Sequence, residues 1–319
     1  MNTRISAEGA RARSTRLVSV NPAGEKPRGW RNILKHGGGA GSIVPRDMKK
    51  HLIFASGLAA WMVLCAYGAE TAPAAVVPAA KPEKPGSGPL YQGVKQKPVN
   101  FREPAREYKA VPIKGWTIQV EKQLIDEEPD LAKKAVERLA ENFNEALALF
   151  PEASRDRLKK LPLFLMYGPK SKGDGRDNGF EYFQARAPEC YNTLDTRWGN
   201  SIVAYCAANY VWQSKLWALK LPIHEMAHAY HLGQWAENYP AIVQAYENAM
   251  KRNLYRNVRT DQKETKEKAY AIQNPMEYFA ELSCMYFAGC DYSPRNRKEL
   301  EAYDPEGYAM IRELWGIKE

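Results

Sequence analysis

The chain has 319 residues, of which 45% are hydrophobic and 26% are charged. These are the proportions of ordinary globular proteins, so they exclude a chain that is disordered throughout and allow a core in one or two domains. The formal net charge is +9, of which residues 1–47 contribute +6 and Lys49 and Lys50 two more, leaving +1 for residues 51–319. The excess positive charge lies at the start of the chain, so it does not indicate a nucleic-acid-binding surface.

The pattern of an export signal begins at Met48. A short cationic start is followed by an apolar run from Leu52 and by small residues that permit cleavage near 68–70. We therefore expect residues 48–69 to be a signal peptide and the protein to be secreted, periplasmic or associated with the cell envelope. A membrane anchor stays open as an alternative if this segment is not cleaved, because the run is close to the shortest length that spans a bilayer.

The segments on either side of this signal lack the pattern of a folded domain. Residues 1–47 are rich in Arg and Gly and have no apolar periodicity, so we interpret them as a mis-set translation start or a disordered extension. Residues 70–105 are dense in Pro and Ala, which is typical of a linker. The folded domain is therefore expected at residues 106–319.

Three runs rich in β-forming residues come first in this domain. They predict strands at 115–125, 161–168 and 201–211, with a polar loop at 169–178. We expect the strand at 201–211 to form the edge of the sheet before the candidate active-site helix, where it can pair with an extended peptide.

Helices are predicted mainly after these strands. An earlier helix is expected from Asp130 to Phe150, with Asp130 as its cap. The later helix signals are first-turn prolines, capping residues and terminal glycines, at Gly233, Pro240, Asn274, Pro275, Gly289 and Asp304. Strands followed by helices is the order of an α+β domain.

Four cysteines follow the predicted signal, at positions 190, 206, 284 and 290. An even number in an exported protein is compatible with disulfides, but four cysteines allow three pairings and the sequence does not choose among them. Zinc binding by these thiols is the weaker interpretation, because no CxxC pair is present.

The stretch LPIHEMAHAYH, residues 221–231, holds three of the five histidines of the chain. His224 and His228 are four residues apart, so on a helix their imidazoles face one side and can reach a single ion. Glu225 lies beside them, where it can polarise a bound water. This is the HExxH zinc signature, and its alternative is a helix with incidental histidines.

A third histidine ligand is not expected from the same helix. The longer pattern HExxHxxGxxH requires glycine and histidine where this chain has His231 and Gln234. We therefore expect His231 to be a core histidine, or one that supports a ligand, rather than a ligand itself.

The stretch NPMEYFAEL, residues 274–282, offers a better third ligand. Glu277 and Glu281 are four residues apart, so a second helix can present one carboxylate to the metal and the next to the ring N–H of a ligand histidine. Two histidines and one glutamate leave an open position for water, which is typical of catalytic zinc sites. Solvated helix surface is the alternative for this pair, but the apolar residues around it favour burial.

HEMAH followed 49 residues later by Glu277 within ExxxE resembles the gluzincin metallopeptidases. KAYAIQNPMEYFAEL is similar to the corresponding segment of the anthrax lethal factor-like catalytic domains. The resemblance covers roughly residues 200–290 at the level of motifs. It implies an α+β domain of zincin-like fold that holds one zinc ion through His224, His228 and Glu277, with Glu281 supporting a ligand. It also implies that Tyr270, seven residues before the glutamate ligand, assists the reaction.

The implied function is that of an exported zinc metallopeptidase, a hydrolase that acts on a peptide or protein substrate. In this mechanism zinc lowers the pKa of its bound water toward 7, Glu225 accepts the proton, and zinc with Tyr270 stabilises the oxyanion. An ordinary buried aromatic is the alternative for Tyr270. The alternative for the whole protein is an exported zinc-binding or interaction module, derived from a peptidase, that performs no reaction.

Overall fold

The computed structural model describes residues 98–318. The predicted extension at 1–47, the predicted signal or anchor at 48–69 and most of the predicted linker lie outside the described residues. Within 98–318, no helix combines the length and the apolar character needed to cross a membrane.

A five-stranded mixed sheet is built mostly from the first half of the described chain. Its strands, in the order β1-β2-β3-β5-β4, place β2, β3 and β5 parallel to one another, while β1 and β4 are antiparallel to their neighbours. The strands are β1 Tyr108–Ile113, β2 Trp116–Glu121, β3 Leu163–Leu165, β4 Phe180–Phe183 and β5 Ser201–Ala204. Lys114 and Gly115 join β1 to β2 with φ angles of 47° and 80°, as a two-residue hairpin requires.

Helices pack mainly against one face of this sheet and make up most of the second half of the described chain. They are α1 Lys122–Glu127, α2 Pro129–Leu149, α3 Glu152–Leu158, α4 Ala187–Cys190, α5 Ala207–Trp212, α6 Lys215–Gln234, α7 Pro240–Lys251, α8 Pro275–Phe287, α9 Arg297–Tyr303 and α10 Pro305–Leu314. A small hairpin of β6 Arg256–Arg259 and β7 Thr265–Lys268 precedes a 3-10 turn at Tyr270–Ile272. The prediction of a small mixed sheet followed by a mostly helical C-terminal half is therefore confirmed.

The predicted strands are partly wrong in extent. Residues 115–125 hold β2 and the start of α1, and residues 201–211 hold only β5 before α5 begins at Ala207. A continuous apolar run does not by itself distinguish strand from helix, and the alanines after β5 favour a helix. The prediction that 201–211 forms the sheet edge is also wrong, because β5 lies between β3 and β4. The edge strand beside α6 is β4, which the sequence analysis did not predict.

The helix-end signals give a mixed result. Asn274 caps α8 by accepting a hydrogen bond from the Glu277 N–H at 2.9 Å, and Pro240 and Pro275 occupy first-turn positions as predicted. Asp130 is not a cap, because α2 already begins at Pro129. Gly233 is also not a terminal cap, since it lies inside α6. The capping predictions at Gly289, which has a φ of 121° just after α8, and at Asp304, which caps α10, are confirmed.

Two cores cover the two faces of the sheet. The larger one packs the helices against one face, and the smaller one includes Phe101, Phe164, Trp198 and Tyr205 on the other. Phe101 lies in the predicted linker, yet its ring is 1% exposed and its centroid is 4.8 Å from that of Trp198. The packed part of the chain therefore includes residues before 106.

Helix α6 runs through the larger core. Its residues from Trp217 to His231 are all buried, so every polar side chain in this stretch is removed from bulk water. Such groups are costly unless they find partners inside the protein. The partners that they find define the candidate site.

All four cysteines of the described residues are free thiols, and three of them are buried, with Cys190 exposed. No disulfide therefore links the described part of the chain.

Candidate metal centre

Two packed helices bring the predicted ligand residues together. Lys220, His224 and His228 follow one another at four-residue spacing along one side of α6. Helix α8 faces them with Glu281 opposite Lys220 and Glu277 opposite both histidines. The contacts run in opposite directions along the two helices, so α6 and α8 are antiparallel.

The three predicted ligand atoms form a small triangle. His224 Nε2 lies 3.0 Å from Glu277 Oε2 and 3.1 Å from His228 Nε2, and the third side, from His228 Nε2 to Glu277 Oε2, measures 3.3 Å. Ligands bound tetrahedrally to zinc at 2.0–2.1 Å are about 3.3 Å from one another. The three atoms therefore lie close enough together to hold one metal ion.

The charge of the buried groups also favours a cation. The carboxylates of Glu225, Glu277, Glu281 and Asp291 are buried in and around the site. The buried ammonium group of Lys220 contacts two of them, Glu281 and Asp291. Buried negative charge is costly unless a positive charge compensates it. A divalent cation held by His224, His228 and Glu277 would supply that compensation.

Glu281 contacts the other side of the His224 ring. Its Oε1 atom lies 2.9 Å from His224 Nδ1, and its Oε2 atom lies 2.9 Å from Lys220 Nζ. Burial raises the pKa of Glu281, but Lys220 and His224 outweigh burial and hold that pKa well below its usual range. In the neutral ring, contact of an ionised carboxylate with Nδ1 favours the proton on Nδ1 and leaves the Nε2 lone pair for a metal ion.

The two ligand histidines also have different surroundings. Burial lowers the pKa of His224, but hydrogen bonding to Cys284, Glu277 and Glu281 more than offsets it, so the pKa is raised well above its usual value. His228 Nδ1 is buried and has no hydrogen-bond partner among the described residues. Burial raises the pKa of Glu277, but the two histidines outweigh burial and lower that pKa to about 2.

Two further groups of donors lie near the ligand triangle. One combines His224 with Glu281 and Cys284, and the other combines Glu281 with Cys290 and Asp291. The first uses the Glu281 carboxylate that already contacts the His224 ring. The second contains a cation already, because Lys220 Nζ lies within 2.9 Å of both carboxylates. The group of His224, His228 and Glu277 is therefore the one that best fits an added metal ion.

Glu225 is fixed by the edge strand of the sheet. Its side chain is 3% exposed, and its Oε2 atom accepts a hydrogen bond of 2.8 Å from the backbone N–H of Tyr182 in β4. Burial raises the pKa of Glu225, while the neighbouring histidines lower it and Glu277 raises it further, with a net upward shift. A carboxylate with a raised pKa accepts a proton more readily than one in water.

Tyr270 reaches the site from the 3-10 turn before α8. The centroid of its half-buried ring lies 5.8 Å from that of His224. Burial, and then the charge of Glu277, raise the pKa of the phenol well above 10. Tyr270 therefore keeps its proton at neutral pH and is a hydrogen-bond donor at the side of the ligand cluster.

His231 does not join the other two histidines. Its Nε2 atom lies 3.2 Å from the Ala236 carbonyl oxygen, and its ring packs against Phe279 with a centroid distance of 5.5 Å. Burial lowers the pKa of His231 to about 4, so the ring is neutral at neutral pH. It occupies the core, which is one of the two positions expected from the sequence.

Sequence reasoning missed several groups that contact the site. These are Lys220, Asp291 and Tyr292, which surround Glu281, and the backbone N–H of Tyr182. One of them left a sequence signal, because Lys220 is four residues before His224 and shares its face of the helix. Asp291 and Tyr292 follow the end of α8, and no local pattern marks them as neighbours of α6.

Comparison with known proteins gives no further guide to this site. No family model, curated protein or solved structure matches the chain significantly. The structure itself shows a mixed α/β domain whose buried His and Glu side chains could hold a metal ion.

Proposed function

We propose that this chain is an exported zinc-dependent metallopeptidase whose domain has a zincin-like fold. The observation that carries the proposal is the triangle of His224, His228 and Glu277 donor atoms, with Glu225 next to the first histidine. Two histidines and one glutamate are a ligand set of catalytic zinc, which keeps a position open for water.

The chain's own residues divide the work of hydrolysis. Zinc, when bound by the three ligands, polarises the attacking water and the substrate carbonyl. Glu225 accepts the proton of that water and passes it to the leaving amine, which needs a carboxylate held in a fixed orientation. Its hydrogen bond from the Tyr182 N–H supports this role. Tyr270 donates its phenolic proton in a hydrogen bond to the developing oxyanion.

The position of β4 supports a peptide as the substrate. Each residue of β4 has a partner in β5, and the backbone N–H of Tyr182 donates its hydrogen bond to the Glu225 carboxylate. An extended peptide that pairs with a strand edge presents its own backbone along that edge. A peptide lying along the outer edge of β4 would therefore pass the proposed base.

A non-catalytic zinc-binding module is the second candidate, and the burial of the site favours it. His224, Glu225 and Glu277 are each at most 4% exposed, which suits retention of an ion more than entry of a polypeptide. The retained Glu225 favours the enzyme, because metal binding alone does not need a carboxylate at that position.

Zinc content and hydrolysis, measured on one preparation of the full-length chain, separate these candidates. The peptidase should hold about one zinc per chain and degrade an unstructured protein such as casein. A chelator should abolish this activity and added zinc should restore it. Zinc without hydrolysis would support the second candidate, and a chain that binds no zinc would contradict both.

A further inference from the structure

A buried lysine lies on α6, one helical turn before His224. Lys220 is 3% exposed, and its Nζ atom lies 2.9 Å from Glu281 Oε2 and 2.6 Å from Asp291 Oδ1. Burying an ammonium group is costly unless close carboxylates compensate it. Both of its partners are themselves buried, so the three groups form a closed charge cluster beside the metal ligands.

Cys290 Sγ lies 3.6 Å from Glu281 Oε2, and Tyr292 makes a closer contact with the same oxygen. Its hydroxyl donates a hydrogen bond of 2.6 Å to Glu281 Oε2, the same oxygen that faces Lys220. The other oxygen, Oε1, faces the Nδ1 atom of His224. The two oxygens of one carboxylate are thus divided between the ligand histidine and the pair formed by Lys220 and Tyr292.

We propose that Lys220 and Tyr292 are positioning residues of the metal centre, which hold Glu281 so that its remaining oxygen fixes the His224 ring. Asp291 in turn holds Lys220. The inference rests on the proposed zinc site and extends it by one layer of residues. Because both groups contact Oε2, they oppose rotation of the carboxylate away from His224.

The surroundings of the other ligand histidine make this support important. A carboxylate oxygen lies 2.9 Å from Nδ1 of His224, whereas Nδ1 of His228 is buried without a hydrogen-bond partner in the described part of the chain. Partners of ligand histidines commonly contribute ten- to a hundredfold to metal affinity. Here that contribution depends on Glu281, and Glu281 depends on Lys220 and Tyr292.

The test measures zinc affinity by competition with a chromophoric chelator. Tyr292→Phe keeps the buried ring and removes only the hydroxyl, and we expect about tenfold weaker zinc binding. Lys220→Met keeps most of the aliphatic stem and removes the charge, with an expected loss of ten- to a hundredfold. The tyrosine variant provides the decisive measurement if the lysine variant does not fold.

Tyr255→Phe is the matched control. Tyr255 is also fully buried, and its hydroxyl also donates to a buried carboxylate, that of Asp304, at 2.8 Å. Asp304 caps α10 instead of contacting a ligand histidine. The control variant should lose thermal stability much as Tyr292→Phe does and keep the zinc affinity of the wild type. Equal zinc affinity in the wild type, Tyr292→Phe and Tyr255→Phe would overturn the proposal.

A second measurement shows whether Tyr292 acts through Glu281. In a Glu281→Ala background, the further change Tyr292→Phe should leave zinc affinity the same within about twofold, because residues that act through one group are not additive. Additive losses would overturn the positioning role. A wild-type chain without zinc affinity would overturn the proposed function along with it, whereas tight wild-type binding with no effect of Tyr292→Phe would overturn this inference alone.

Discussion

The two sides of the ligand triangle differ in how tightly their groups are held. On the anchoring side, formed by Glu281, Lys220 and Tyr292, all three residues are buried and both oxygens of the carboxylate have partners within 2.9 Å. On the reaction side, formed by Glu225 and Tyr270, the carboxylate accepts a backbone N–H and the tyrosine stands half-buried on a short turn.

This difference separates two tasks that a zinc hydrolase needs. In the proposed hydrolase, the fixed charge cluster behind a ligand histidine would keep the ion in place, whereas Glu225 and Tyr270 would transfer protons and stabilise charge in the transition state. Changes on the anchoring side should therefore alter metal affinity, and changes on the reaction side should alter turnover with the metal retained.

The largest effect is expected from Glu277→Ala, which removes the proposed carboxylate ligand. Without this carboxylate only two nitrogen donors remain, so we expect stoichiometric zinc to be lost on dialysis and measured as such by elemental analysis. Glu145→Ala, which replaces an exposed glutamate of α2, is the control and should keep about one zinc per chain. Full zinc retention by Glu277→Ala would remove Glu277 from the coordination sphere.

Glu225→Gln should have the largest effect on the reaction side. The amide keeps an oxygen that can accept the Tyr182 N–H, but it cannot take up the proton of water. We expect zinc content to stay unchanged and hydrolysis to fall at least about a hundredfold. Turnover like that of the wild type would show that another group is the base.

Tyr270→Phe should also lower turnover while zinc is retained. A hydroxyl that donates to the oxyanion acts mainly in the transition state, so turnover should fall about ten- to a thousandfold while zinc content and the Michaelis constant stay close to the wild type. A tyrosine that only packs would cost some melting temperature instead, with turnover preserved. Turnover number, Michaelis constant and melting temperature of this one variant distinguish the two roles.

Glu281→Ala tests the anchoring side. Losing the contact with His224 Nδ1 should weaken zinc binding about ten- to a hundredfold without abolishing it. Turnover of the variant at saturating zinc should stay much nearer the wild type than that of Glu225→Gln. Unchanged zinc affinity would show that Glu281 does not support the ligand histidine.

Much of the site was predictable because its residues are spaced by single helical turns. His224 and His228 on one helix and Glu277 and Glu281 on the next are both four-residue pairs, and helix geometry places each pair on one face. The cap at Asn274 with Pro275 likewise fixed the start of α8. Patterns of this kind are local, so a single sequence contains them in full.

The rest of the site depends on contacts between distant segments. The β4 strand is four residues long and follows a polar loop, and such a short strand gives almost no period to detect. Its hydrogen bond to Glu225 joins residues 43 positions apart, and Lys220 meets Asp291 across 71 positions. Pairings of this kind are decided by the packing of α6 against the sheet and α8, which no local pattern records.

His231 offers the last and smallest functional test, because it lies on α6 but on neither side of the ligand triangle. His231→Phe should keep zinc content and turnover, since the ring contacts Ala236 and Phe279 instead of the ligands.

The effect of His231→Phe should appear in the pH dependence of stability. The folded-state pKa is lowered from 6.5 to about 4, so between these values the unfolded chain binds a proton that the folded chain does not. The contribution of this group to the free energy of unfolding is therefore fully present above about pH 6.5. It decreases by roughly 3 kcal/mol as the pH falls toward 4. Denaturant unfolding of both metal-free proteins from pH 7 to pH 4 should show a weaker pH dependence in the variant, and identical pH profiles would contradict a neutral, buried His231.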